Sequence, residues 1–96
     1  MGVSGMSDAA QPKFADRSGP ARIAGLLRHL GEAGAGGARL SALAAATGLP
    51  APTALRLLRA LVAEELVDLD STTKTYRLGL GLFRLAAQAG NPLGLR

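Results

Sequence analysis

Residues Leu40 to Glu64 read LSALAAATGLPAPTALRLLRALVAE, two helical patterns joined by a tight turn. Leu40, Leu43 and Ala44 give the first pattern one apolar face. Thr47-Gly48-Leu49-Pro50 stops it. A glycine just past a helix takes positive φ, and a proline shortly after cannot prolong the old helix. Proline also suits the start of the next helix, where the first N–H groups lack partners. In the second pattern Ala54, Leu57, Leu58, Leu61 and Val62 recur at i, i+3, i+4, i+7 and i+8, an amphipathic stripe. Thr53, Arg56, Arg59 and Ala60 fall on the other side. The apolar stripe thus holds the helix down and leaves a thin cationic face outward. This is the layout of a helix-turn-helix, whose second helix enters the major groove of DNA. Ala44 and Ala54 supply the small residues that a close helix crossing needs. An ordinary αα-hairpin in a helical bundle carries the same stripes. The Gly-Leu-Pro turn and the short first helix favour the helix-turn-helix.

The flanks complete the fold. Upstream, Ser18-Gly19-Pro20 is a helix start, and Ile23, Leu26, Leu27 and Leu30 repeat at helical spacing over Pro20 to Leu30. Gly31 to Gly37, GEAGAGG, reads as a flexible surface loop. It follows a helix and precedes no Lys-Ser/Thr pair, which argues against a phosphate-binding loop. Ser41 is the predicted N-cap of the next helix, with its hydroxyl and the free N–H groups open to a phosphate. Downstream, Val67 and Leu69 alternate with polar residues, Asp70 to Lys74 is turn-rich, and Tyr76 and Leu78 alternate again. Two short strands around a turn form a hairpin, the wing of a winged helix. Lys74 at its tip and an outward Arg77 are placed to reach a phosphate backbone or minor groove, plain solvation being the alternative for both. From Leu80 the pattern is helical, and Leu82, Phe83, Leu85, Ala86 and Ala89 give a wide apolar side that either caps the wing or pairs with its own copy. The fold class is therefore mostly α with a small β-hairpin, a winged helix-turn-helix over residues 19–79. A mobile arm (1–18), a linker or dimerisation helix (80–90) and a short tail (91–96) complete the expected organisation. Lys13 and Arg17 lie in that arm, where a solvated tail is the simpler reading.

Composition bounds the function. The chain has 96 residues, one small domain, and a formal charge of +4. The isoelectric point is about 10.7, which favours an anionic partner. Placement says more: no carboxylate occurs between Glu32 and Glu64, whereas Arg39, Arg56 and Arg59 do. With no cysteine, disulfides and thiolate metal sites are excluded, and no cofactor is called for. The apolar runs are too short to span a bilayer and the N-terminus lacks a signal-peptide core, so a cytoplasmic protein is expected. A single histidine, His29, no paired carboxylates on a helix face beyond Glu64-Glu65, and no expected room for a pocket argue against an enzyme.

The order helix, GLP-turn helix, PAPTALRLLRALVAEELV helix and hairpin ending YRLG resembles the DNA-binding domain of the IclR family of bacterial transcription regulators. The resemblance runs from Pro20 to about Ala89 and is carried by Thr47-Gly48-Leu49-Pro50, Thr53, Arg56-Leu57-Leu58, Leu61 and Tyr76-Arg77-Leu78-Gly79. It implies a repressor or activator that binds a palindromic operator in double-stranded DNA as a dimer. It also implies a C-terminal domain that senses a small-molecule effector, which these residues do not contain. The expectation is a DNA-binding fragment or a truncated relative, with the helix near Leu80 linking domains and pairing subunits. Thr53 and Arg56 match the family's recognition positions. Leu55 stands where a polar residue is common and would offer a thymine methyl an apolar contact instead. Ala51 replaces a frequent basic residue, Lys74 a usual glycine, and Thr75 a usual basic residue. The candidate DNA contacts are Ser41, Pro52, Thr53, Leu55, Arg56, Arg59, Lys74 and Arg77, with no catalytic or metal-binding set. A winged helix used for protein contact, through Leu55 and the Leu80–Ala89 helix, is the competing reading.

Overall fold

The computed structural model describes residues 18–90, so the expectations for the N-terminal arm and the 91–96 tail fall outside the described residues. Helix α1 spans Gly19–Ala33. Ser18 caps it, its Oγ accepting the Ala21 N–H at 3.3 Å, and Pro20 lies in the first turn where a missing N–H costs nothing. The helix does not stop at Leu30. Gly31, Glu32 and Ala33 continue it, and Gly34, at φ 69°, ends it. Glu and Ala are good helix formers, and one exposed glycine inside a helix costs only about 1 kcal/mol. The expected flexible loop is accordingly shorter, and Gly34–Gly36 coil into a single 3₁₀ turn.

Strand β1, Ala38–Arg39, is an element that short-range pattern could not reveal. It pairs antiparallel with β3, Thr75–Leu78, with Ala38 opposite Tyr76 and Arg39 opposite Thr75. Gly37 makes that approach possible: its φ is 73°, and a Cβ there would lie 2.5 Å from the Tyr76 carbonyl oxygen. Strand β2, Val67–Asp70, pairs on the other edge of β3, giving the order β1-β3-β2. Its register sets Val67 opposite Leu78, Asp68 opposite Arg77, Leu69 opposite Tyr76 and Asp70 opposite Thr75.

Helix α2 spans Leu40–Thr47 and α3 spans Ala51–Ala63. Between them Gly48 is left-handed (φ 72°), its N–H reaches back to the Ala45 carbonyl, and the Leu49 N–H donates to the Ala44 carbonyl at 3.1 Å. This is a Schellman stop, completed by the buried Leu49 side chain. Pro50 then takes the extended N-cap position of α3. The same motif ends α3, where Glu65 occupies the left-handed position (φ 64°) and the Leu66 N–H donates to the Leu61 carbonyl at 3.0 Å.

One core joins these pieces: Leu26 and Leu30 of α1, Leu43 and Ala44 of α2, Leu49 of the turn, Ala54, Leu58 and Leu61 of α3, Val67 of β2 and Tyr76 of β3. Ala44 and Ala54 are both buried, as a close crossing of α2 and α3 requires. Leu69 departs from its expected half-buried place and is 44% exposed, although the register keeps it beside Tyr76. Helix α4, Leu80–Gln88, buries none of its side chains. Its start is anchored by backbone, the Gly79 N–H donating to the Leu66 carbonyl and the Gly81 N–H to the Glu65 carbonyl, at 2.8 and 2.9 Å. The architecture is a winged helix.

Candidate nucleic-acid interface

Helix α3 presents the face foreseen for it. Ala54, Leu58 and Leu61 are buried, while Arg56 and Arg59 are exposed. Among the described residues neither arginine has an ion pair or a hydrogen bond. Thr53 and Leu55 are half-buried beside them, and Pro52 is exposed in the first turn. Among the described residues no side chain caps the start of α3. The N–H groups of Ala51 and Thr53, with the positive end of the helix dipole, are therefore free to meet an anion.

Ser41 requires a correction. It does not cap α2: Arg39 holds the N-cap position, extended at φ −84° and ψ 161°, and makes no capping hydrogen bond through its side chain. The pairing of β1 with β3 keeps the chain extended through Arg39 and starts the helix at Leu40. Ser41 lies one position inside, exposed in the first turn. From there its hydroxyl can face a phosphate but cannot close the helix end.

The wing is the turn Ser71 to Lys74 between β2 and β3. Lys74 is exposed at the end of that turn and its backbone is left-handed, φ 60°. The geometry explains why a glycine suits this position. Arg77 is less free than its strand alternation implies. Its guanidinium lies 3.9 Å from Asp70, and its side chain is 39% exposed. The carboxyl of Asp70 is held below the usual range chiefly by the Thr73 N–H, then by the Thr72 N–H, with Arg77 adding a smaller attraction. Two residues of this region escaped the sequence reading as site residues. Arg39 is brought to the base of the wing by the β1–β3 pairing, for which two residues carry no signal. The place of Asp70 had one, an Asp directly before Ser-Thr-Thr, the composition of an Asx turn.

The expectation that the chain has no room for a pocket is also corrected. An open groove of about 490 Å³ lies between the end of α1, β3 and α4, lined by Leu30, Gly31, Gly34, Ala35, Arg77, Leu78 and Phe83. The loop shortened by the longer α1 forms one wall. Among the described residues that line it, Arg77 is the sole ionisable side chain, and no acid–base pair converges among them. Among the described residues no cluster of three His, Asp or Glu stands ready for a metal, and no helix is long and apolar enough to cross a membrane.

With α3, its turn and the wing in this arrangement, comparison with known proteins is decisive. The IclR helix-turn-helix domain matches residues 19–71, from the start of α1 into the wing turn. The chain belongs to the IclR family. Among solved structures it is similar to HmgR of Pseudomonas aeruginosa, with 33% identity and a TM-score of 0.62 over 70% of this chain. That match spans only 27% of the HmgR chain, so these residues correspond to about a quarter of that protein. No curated protein matches the chain. Membership in the IclR family and the winged-helix fold make this a DNA-binding domain of a transcription regulator.

Proposed function

We propose that the chain binds a specific operator in double-stranded DNA, with α3 in the major groove and the 70–75 wing on the phosphate backbone or in the minor groove. The observation that carries this reading is the pair Arg56 and Arg59, exposed on a helix without a carboxylate and engaged by no described residue. A guanidinium free in the unbound state need not abandon a partner to reach a base or phosphate.

Arg56 reads a guanine edge or braces the adjacent phosphate. Thr53, with Pro52 opening the first turn, approaches base or phosphate near the helix start, and Leu55 meets a thymine methyl. Arg59, one turn further along, takes a phosphate, as do Ser41 and Lys74. Arg77 ranks behind Lys74 because it must first leave Asp70. Two copies joined through α4 read a palindrome, and a small-molecule effector acts through a separate domain. Selection of bound sites from random duplexes tests the specificity, and a two-fold repeat in the selected sites tests the symmetry. Arg56→Ala should then lower affinity for the selected site by about 1–3 kcal/mol. Unchanged affinity removes Arg56 from base reading.

One observation favours a second reading. Leu80, Phe83 and Leu85 are 57%, 58% and 54% exposed on α4, an apolar face suited to protein contact. A pure interaction module would self-associate yet show no salt-dependent affinity for a duplex.

A further inference from the structure

The wing is organised around one carboxylate. Asp70 ends β2, and its Oδ1 accepts the N–H of Thr72 at 2.9 Å and that of Thr73 at 3.3 Å. Its main-chain carbonyl accepts the N–H of Lys74 at 2.7 Å. These contacts close the turn and fix where the Lys74 stem leaves it. The second oxygen, Oδ2, lies 3.9 Å from the Arg77 guanidinium, a diagonal contact across β2 and β3. Asp68, directly opposite Arg77 in the register, is exposed and makes no ion pair among the described residues. The threonine hydroxyls of Thr73 and Thr75 lie 2.7 Å apart and stiffen the returning strand.

We propose that Asp70 is the positioning residue of the wing: one oxygen shapes the turn that presents Lys74, and the other holds Arg77 on the sheet, so that Lys74 is offered to a duplex and Arg77 is partly withheld from it. An exposed pair of this kind adds little to stability. Its consequence lies in competition, since a guanidinium shared with a carboxylate is not available to release a counterion from DNA. The wing is thereby set to contribute weakly beside α3, which leaves discrimination with the helix that meets base edges. The inference rests on the proposed binding of a duplex by α3 and the wing.

The test uses the full chain and a labelled duplex of random sequence, titrated over a series of salt concentrations. Asp70→Asn keeps an oxygen for the two threonine N–H groups and removes the charge. It should tighten binding and steepen the log–log salt dependence by up to about 0.9, one further phosphate neutralised. Asp68→Asn removes the same charge without touching Arg77 and should leave the slope unchanged. In an Arg77→Ala background Asp70→Asn should no longer steepen it. Equal steepening by Asp68→Asn, or steepening that survives without Arg77, overturns the holding of Arg77. The turn is read in the free chain by NMR. The Thr72 and Thr73 amide resonances should move as Asp70 titrates, stay near their high-pH positions in Asp70→Asn, and collapse toward random-coil values in Asp70→Ala. Amides that ignore both the titration and the Asp70→Ala change overturn the positioning role, whether or not DNA binds. Failure of the wild-type chain to bind the duplex at any salt sinks the proposed function itself, and the presentation of cations by the wing with it, while the amide result still decides what Asp70 does to the turn.

Discussion

Lys74 adopts a left-handed backbone, φ 60°, and donates its N–H to the Asp70 carbonyl. A residue with a Cβ is strained there by about 1–2 kcal/mol, and glycine is not. Lys74→Gly should therefore stabilise the chain by about 0.5–1 kcal/mol, the strain relieved less the greater chain entropy of glycine. The same change should weaken duplex binding and flatten its salt dependence by about 0.9, one phosphate contact fewer. Urea unfolding and a salt-dependent titration read the two effects, which move in opposite directions. A change that lost stability would refute the strain argument. Asp70 makes a second prediction at this scale. Its carboxyl titrates lower when folded, first because of the Thr73 N–H and then the Thr72 N–H, with Arg77 contributing less. A depressed folded pKa gives stability that is present above the unfolded value and is lost as pH falls through the folded one. Between about pH 5 and about pH 3 the wild-type urea midpoint should fall more than that of Asp70→Asn, and parallel curves would remove Asp70 from the linkage.

At the scale of elements, the glycines that matter are those where backbone meets backbone. A Cβ at Gly81 would lie 2.5 Å from the Glu65 carbonyl oxygen, and one at Gly79 would lie 2.6 Å from the same atom. Gly81→Ala should push α4 off the α3–β2 corner, at about 1–3 kcal/mol, the range for forced overpacking. Hydrogen exchange should show loss of protection confined to α4, with α3 unchanged; loss throughout the chain would mean that α4 is part of the cooperative core. How far the chain could be read in advance follows from the same distinction between local and non-local causes. The α2–turn–α3 unit was legible because its determinants are local: a Gly-Leu-Pro stop and a periodic stripe. The exposed, arginine-bearing face of α3 was legible for the same reason. Strand β1 was not, since two residues have no period and exist as a strand only by pairing with Tyr76 and Thr75 far along the chain. That non-local pairing displaced the cap of α2 from Ser41 to Arg39. The partial restraint of Arg77 was hidden likewise, because alternation along one strand does not reveal which neighbour lies diagonally across the hairpin.

On the scale of the whole molecule, the distribution of unburied apolar surface is uneven. The core collects from α1, α2, α3 and the sheet, whereas α4 leaves Leu80, Phe83 and Leu85 more than half exposed. A short helix anchored through the backbone at its start and by the exposed Arg84–Glu65 pair at 3.9 Å, with a wide apolar face, is stabilised where something covers that face. The proposed pairing of two copies through α4 supplies that cover and would bring two α3 helices to one palindrome. Leu85→Glu places a charge on this exposed face at a residue that does not line the groove shared by Phe83 and Arg77, so it should leave the affinity for a single half-site within about twofold, the ordinary effect of a surface substitution. Cooperative binding to a two-half-site duplex should disappear, and sedimentation equilibrium should show wild-type association that the variant lacks. A variant that still bound both half-sites cooperatively would locate the pairing surface elsewhere. A wild-type chain that stayed monomeric, free and on DNA, would mean that α4 is covered by something other than its own copy.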